Sequence, residues 1–195
     1  MRNRFVVFAA LLMFVATAQA EAKKVKAAGD AFAKQYQGTW TNESELDTDV
    51  PSLGKKGDKL TGHLTFRKRA GLIEVSWRGE NNGKPVGTRG RGIIGWDVAA
   101  EKLRLRWFST AGASGTVLYS DKGDHWINQS NSIDGDGTKV SADDHVTVPK
   151  NDSYTVKQTN RKRGSESLPD RELVWKRSKK SKKSKKPKKP KKPKK

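Results

Sequence analysis

The sequence predicts an all-β protein: a single antiparallel up-and-down β-barrel of about 8–10 strands, with a short N-terminal helix and a disordered basic C-terminal tail. The first observation behind this prediction is a row of short segments in which apolar and polar residues alternate, separated by turns rich in Gly, Asn and Asp. The second is that no later helical pattern is long enough to connect parallel strands. The third is a final segment of Lys, Arg, Ser and Pro with no apolar residue after Trp175.

Residues 1–20 have the three parts of a secretory signal peptide. Arg2 and Arg4 form a positive start, residues 5–18 are apolar except for one Thr, and Ala18-Gln19-Ala20 supplies a small-x-small cleavage site. A membrane anchor is the alternative, but a spanning helix needs about 20 apolar residues and this core is shorter. We therefore expect cleavage after Ala20 and an exported mature chain without a membrane span, in a bacterial periplasm or secreted.

The chain contains no cysteine, so it forms neither a disulfide nor a lipidated N-terminal cysteine. Small secreted domains often depend on disulfides, whereas a domain of about 155 residues can bury enough surface to be stable without them. An export signal without cysteines is more typical of a bacterial envelope protein than of an animal secreted protein.

After the signal peptide we expect a linker with a short helix at 21–31, the helical pattern extending over about 22–34, and then the barrel domain at 32–177. The strands predicted from alternation are 36–46, 60–67, 73–78, 86–96, 102–107, 115–121, 125–133, 138–148, 153–161 and 171–177. Alternation along a strand means that one face of the sheet is dry and the other wet. Closure into a barrel removes exposed sheet edges, and a two-sheet sandwich is the alternative.

Positive charge is concentrated at the C-terminus. The formal net charge is +20, yet residues 176–195 hold 14 Lys or Arg and no acid, while 21–175 hold 25 basic and 21 acidic residues. Repeated Pro and like charges favour an extended, unfolded segment. We expect the tail at 178–195 to be disordered.

The segment 32–40, which ends in Gly38-Thr39-Trp40, resembles the opening of lipocalins and the wider calycin group, where a helical turn leads into a Gly-x-Trp motif on the first strand. Gly95-Trp96-Asp97, the strand at 102–107 and the loop at 109–112 are also similar to exported bacterial lipocalin-like domains of uncharacterised function.

This resemblance covers about 32–177 and implies that Trp40 closes one barrel end under a cation from the last strand. If Leu173 and Trp175 face inward, Arg171 and Arg177 share their side of that strand, and either could stack on Trp40. Gly38, Trp40 and Arg177 are therefore expected to be structural residues.

The residue patterns of common catalytic and metal sites are not found in the sequence. The histidines, His63, His125 and His145, lie on three different predicted strands, without the spacing of a zinc site. Residues 134–138 resemble the start of a calcium loop but lack the later bidentate Glu. The Gly-rich segment 87–92 lacks the strand-to-helix setting of a phosphate loop, and we interpret it as a curved barrel strand. We expect no enzymatic activity, no cofactor and no metal site.

The sequence is rich in tryptophan, with six residues. One interpretation is that they fill the barrel core, and the other is that some line a ligand cavity in which Arg104 or Arg106 meets an anionic head group. The candidate ligand-binding residues are Trp77, Arg104, Trp107 and Trp126.

Two hypotheses of function follow. The first is an exported, monomeric, non-enzymatic binding protein whose barrel holds a small apolar or anionic ligand. The alternative is a protein that contacts polyanions non-specifically through 178–195, with the barrel as a structural platform.

Overall fold

The computed structural model describes residues 26–178. It contains one helix, α1, over residues 26–36. The strands are β1 (Gly38–Glu45), β2 (Lys59–Arg69), β3 (Leu72–Asn81), β4 (Lys84–Asp97), β5 (Lys102–Ser109), β6 (Ser114–Asp121), β7 (His125–Ile133), β8 (Lys139–Thr147), β9 (Ser153–Arg163), β10 (Glu166–Ser167) and β11 (Arg171–Arg177). The predictions of a signal peptide at 1–20 and, beyond Ser178, of a disordered tail lie outside the described residues.

The strands form one closed antiparallel sheet. Each strand from β1 to β9 pairs with the next along the chain, and β11 pairs with both β9 and β1, which closes a ring of ten strands. The short β10 continues the pairing along the same edge of β9. The prediction of an up-and-down barrel is confirmed, and the alternative of a two-sheet sandwich is wrong, since a sandwich would leave sheet edges unpaired.

Apolar residues of alternating parity point into this barrel. The buried interior side chains of the strands include Trp40, Phe66, Ile73, Val75, Ile94, Leu103, Leu105, Tyr119, Trp126, Val146 and Tyr154. Successive side chains of a strand point to opposite faces, so their neighbours along each strand lie on the outside. Helix α1 closes one end, which we call the capped end, and the opposite end is the open end.

Aromatic residues attach α1 to the capped end. The ring of Phe32 lies 5.7, 5.2 and 5.4 Å from the rings of Phe66, Tyr119 and Trp126. The hydroxyl of Tyr36 donates a hydrogen bond to the carbonyl of residue 147, at 3.0 Å. The helix extends two residues past its predicted end, because Phe32 and Tyr36 are one turn apart on the buried face.

The Gly-rich segment 87–92 lies in β4, as its interpretation as a barrel strand predicted. A Cβ atom at Gly92 would lie 2.6 Å from the carbonyl oxygen of Arg106 and 2.7 Å from the side chain of Leu105. Glycine at this position therefore allows β4 to pack closely against β5.

Candidate functional site

Trp40 fills the capped end. Its side chain is 0% exposed, and its indole Nε1 donates a hydrogen bond to the carbonyl of Tyr36 at 2.7 Å. Its ring lies 4.8 Å from that of Tyr154, at 77°. The guanidinium of Arg177 lies 4.1 Å from the centre of the indole ring, one of the two stacking arrangements that the sequence predicted.

Arg177 also ties this end of the barrel together. It donates hydrogen bonds to the carbonyl of Gln37 at 2.7 Å and to the carboxylate of Asp152 at 2.9 Å. Gly38 has a φ of +128°, and a Cβ there would lie 2.8 Å from Nη1 of Arg177. The Gly-x-Trp motif therefore builds a closed end, and access to the interior must come from the open end.

Two adjoining cavities lie inside the barrel, and Leu64 lines both. The open-end cavity, of about 300 Å³, is lined by Leu53, Val75, Trp77, Leu105 and Trp107 among others. The helix-side cavity, of about 190 Å³, is lined by Tyr119, Trp126, Asn128, Asp144 and Gln158 among others.

The interior has an apolar wall and a polar wall. The apolar wall comes from β2 to β6 and holds Val75, Trp77 and Trp107. The polar wall, which we call the polar row, consists of four residues that are direct neighbours across β7, β8, β9 and β11: Asn128, Asp144, Gln158 and Arg171. A molecule in the barrel would therefore meet apolar groups on one side and hydrogen-bonding groups on the other.

Hydrogen bonds link most of the polar row. Nε2 of Gln158 donates to Oδ1 of Asp144 at 2.7 Å, and Nε of Arg171 donates to Oε1 of Gln158 at 2.6 Å. Burial raises the pKa of the Asp144 carboxyl, because the hydrogen bond from Gln158 and the charge of Arg171 only partly offset its desolvation. Burial also lowers the pKa of Arg171.

A buried ion pair holds the loop after β1 across the open end. Nη1 of Arg161, a residue 6% exposed, lies 2.5 Å from Oδ2 of Asp47, and it donates to the carbonyl of Pro169 at 2.6 Å. Arg171 adds a longer contact with Asp47, at 3.8 Å. Burial alone would raise the pKa of the Asp47 carboxyl. The hydrogen bond from Arg161 and the positive charge of Arg171 outweigh this effect, so the pKa lies below its ordinary value.

Asn128 ends the polar row with an unused acceptor. The residue is 7% exposed, and its Oδ1 has no hydrogen-bond partner among residues 26–178. A buried acceptor without a partner costs about 1–3 kcal/mol. A ligand that donates a hydrogen bond to Oδ1 would recover this energy.

The predicted ligand-binding residues divide between two sides of the sheet. Trp77 and Trp107 line the open-end cavity, and Trp126 lines the helix-side cavity, with its Nε1 donating to Oε1 of Gln35 at 3.0 Å. Arg104 instead lies on the outer face, 2.5 Å from Asp97. It cannot meet a head group in the barrel, because its neighbours Leu103 and Leu105 point inward.

Arg106 also points outward, for the same reason of strand parity. Sequence reasoning considered Arg171 only as a cation that could stack on Trp40, and it did not select the other three residues of the polar row. A signal was present, since Asn128, Asp144 and Gln158 share the parity of the inward Trp126, Val146 and Val156.

The histidines do not converge with acids into a metal site in this part of the chain. The rings of His125 and His145 stack 4.2 Å apart, and Nε2 of His63 lies 3.2 Å from Glu80. Within 26–178, no three His, Asp or Glu residues are arranged to hold a metal ion. The same residues include no helix with the length and apolar character required to span a membrane.

The fold and cavity define the class of this chain as a closed ten-stranded antiparallel barrel with an amphipathic interior. The crystal structure of Rv2717c from M. tuberculosis is similar to it, with a TM-score of 0.54 and 15% identity over 78% of this chain and 98% of that one. A de novo designed fluorescence-activating β-barrel gives a TM-score of 0.38 and 18% identity over 75% of this chain and 96% of the design. Likeness at such low identity concerns the fold alone. No family model and no curated protein matches the chain.

Proposed function

We propose that this chain is a lipocalin-like binding protein that holds one small, partly apolar ligand inside its barrel and catalyses no reaction. The observation that carries the proposal is the unpartnered, buried Oδ1 of Asn128 at the side of a cavity with an apolar wall. Ligand sites are mostly apolar cavities with a few placed polar groups that orient the ligand.

The size and lining of the cavities describe the ligand. Cavities of about 190 and 300 Å³ lie at or below the lower limit of ligand pockets, so the ligand is small. An aromatic or aliphatic body would pack against Trp77 and Trp107, and a hydroxyl, amide or amine would donate to Asn128. Because Asp144 and Arg171 both bind Gln158, we assign them to holding the polar wall rather than to acid–base chemistry.

Two matched probes test this proposal: 1-aminoanthracene, whose amine can donate a hydrogen bond, and anthracene, which cannot. Both should quench the fluorescence of the interior tryptophans of the full chain. The amine should bind roughly 2- to 12-fold more tightly, which corresponds to one net hydrogen bond of about 0.5–1.5 kcal/mol.

Asn128→Leu should remove the preference for the amine and keep binding of anthracene, since the apolar wall is unchanged. Asn131→Leu is the matched control, because Asn131 is on the same strand but exposed, and it should behave like the parent. Failure of both probes to bind the folded parent would refute a binding cavity. An unchanged preference in Asn128→Leu would refute the role of this acceptor.

We also propose a second function, polyanion binding by the C-terminal segment, on the observation of its 14 Lys or Arg residues and no acid in 176–195. In this proposal the mature chain is a monomer exported to the periplasm or the exterior. Lys176 and Arg177 are part of β11, and Ser178 donates its backbone N–H to the carbonyl of Thr39 at 2.8 Å. A deletion that spares the barrel must therefore begin at residue 179.

A salt titration on immobilised heparin and on duplex DNA tests the second proposal. The full chain should elute at high salt from both, because lysine ammonium groups act as point charges without stereochemical selectivity. A chain that lacks 179–195 should lose most of this retention. Retention that is independent of salt, or equal after the deletion, would contradict a role of the tail.

A further inference from the structure

Arginines are concentrated on one side of the outer barrel surface. We call this surface the arginine face; it consists of the outward side chains of β3 to β5 together with one arginine of β2. Its arginines are Arg67, Arg78, Arg89, Arg91, Arg104 and Arg106. Strands β3 to β5 hold two lysines: Lys84, next to the turn between β3 and β4, and Lys102, at the start of β5.

Most cations of the arginine face have no counter-ion. Arg104 pairs with Asp97, but the other five make no ion pair within the described residues. The arginines of β9 and β11 differ, since Arg161, Arg163, Arg171 and Arg177 all contact carboxylates. Within residues 26–178, therefore, the arginines of β9 and β11 are paired with carboxylates, whereas most of those on the arginine face are not.

One cross-strand pair on this face is unfavourable for folding. Arg78 of β3 and Arg89 of β4 are direct neighbours across the sheet. Like charges directly opposite each other destabilise a sheet. A bound anion would relieve this repulsion.

Exposed apolar side chains lie among these cations. Six large hydrophobic residues are exposed in the described chain, and four of them lie on β3, β4, β5 or the β4–β5 turn: Leu72, Ile93, Val98 and Phe108. Ile93 is the cross-strand neighbour of Arg106, and Phe108 that of Arg91. With Phe108 66% exposed and Ile93 50% exposed, the surface is both cationic and apolar.

A groove of about 720 Å³ runs along this surface. Its lining includes Arg67, Arg91, Arg106, Ile93 and Phe108. Two acids also line it, but Asp97 is engaged by Arg104, and Glu74 lies 3.6 Å from Arg69. The groove therefore keeps an excess of positive charge next to apolar surface.

We propose that the arginine face docks the protein on an anionic phospholipid surface, where the groove receives phosphate head groups and Ile93 and Phe108 enter the acyl boundary. Guanidinium groups bind phosphate oxygens in a forked, bidentate geometry. Apolar side chains interleaved with cations are the composition of surfaces that lie in the membrane interface. A single-stranded nucleic acid fits less well, because it needs several aromatic rings for successive bases, and Phe108 is the aromatic side chain exposed on this face.

The test compares variants of the full chain in co-sedimentation with phosphatidylcholine vesicles, with and without phosphatidylglycerol, at physiological salt. Because every variant keeps the Lys-rich segment, differences between variants report on the barrel surface. Arg91→Gln with Arg106→Gln should lower the partition coefficient for the anionic vesicles roughly 30-fold, from the usual contribution of a cation near such a surface. Ile93→Ser with Phe108→Ser should lower it at least about tenfold.

Each pair of substitutions has a matched control elsewhere on the barrel. Lys122→Gln with Lys157→Gln removes two exposed charges, and Ile133→Ser with Val174→Ser removes the two remaining exposed apolar residues. Both controls should stay within about threefold of the parent, and circular dichroism should show all four variants folded, since every changed position is exposed or lies on the outer surface.

Three results would overturn the proposal. The first is no binding of the parent to phosphatidylglycerol vesicles. The second is an equal loss in the face variants and their controls, which would assign binding to total charge. The third is loss of single-stranded DNA binding in the face variants while vesicle binding is unchanged, which would make the surface a nucleic-acid site. None of these depends on the interior cavity, so the ligand-binding proposal is tested separately.

Discussion

Trp40→Ala should destabilise the barrel and leave the affinity for anthracene, which in our proposal packs against Trp77 and Trp107, unchanged. The indole is 0% exposed, packs on Tyr154, lies under Arg177 and donates a buried hydrogen bond to the carbonyl of Tyr36. Removing a buried Trp costs about 3–5 kcal/mol, of which the hydrogen bond supplies about 1 kcal/mol. The loss occurs at the capped end, away from the open-end cavity that Trp77 and Trp107 line.

Thermal melting followed by circular dichroism measures this effect. In a domain of this size each kcal/mol shifts the Tm by about 2–4 °C, so Trp40→Ala should melt roughly 6–20 °C below the parent. Trp40→Phe should recover part of the loss, because a smaller ring can still pack on Tyr154 and under Arg177 but cannot donate the hydrogen bond.

Trp107→Ala is the matched comparison, since Trp107 is half-buried and lines the cavity. It should weaken binding of anthracene and cost less stability than Trp40→Ala. If Trp40→Ala melted like the parent, or lost the probe while still folded, Trp40 would belong to the ligand site and the assignment of a closed end would be refuted.

Three further predictions concern the polar row, the Gly-x-Trp motif and the tail. Burial raises the pKa of Asp144 above its ordinary value of 3.8, so this group adds most stability below that pH and loses it as the pH rises towards the folded pKa. Asp144→Asn should therefore melt above the parent at neutral pH and match it near pH 3; a lower Tm at neutral pH would show that the charged form is favoured. Gly38→Ala should lower the free energy of unfolding in urea by at least about 1–3 kcal/mol, because the new Cβ both meets an unfavourable φ and clashes with Arg177. Gly57→Ala is the control: it has a φ of +88° but open space around the new Cβ, so it should cost less. Equal losses would rule out the contact with Arg177 as the cause. Deletion of 179–195 should leave the Tm of the barrel unchanged, and a large drop would show that the tail packs on it.

Much of the fold could be predicted from local patterns. Alternation of apolar and polar residues located the strands, because a strand that is buried on one face must alternate. The same alternation predicted that Arg177 shares the side of Trp175, and the stacking on Trp40 follows from this parity together with closure. On β5, the same alternation places Arg104 on the other face of the sheet from Leu105, and therefore outside the barrel. The expectation that Arg104 meets a ligand in the barrel overlooked this alternation.

The sequence by itself determined the order and direction of the strands, the Gly-x-Trp end and the separation of a near-neutral domain from a basic terminus, since each depends on residues close together in the chain. Only the tertiary structure decided that Asn128, Asp144, Gln158 and Arg171 form one polar wall, because they meet through the register of four strands. It also decided that arginines from four strands share one outer face. Parity along each strand gives the face on which a side chain lies but not its partner across the sheet. That partner also depends on turn geometry, on the register shift between β8 and β9, and on ring closure.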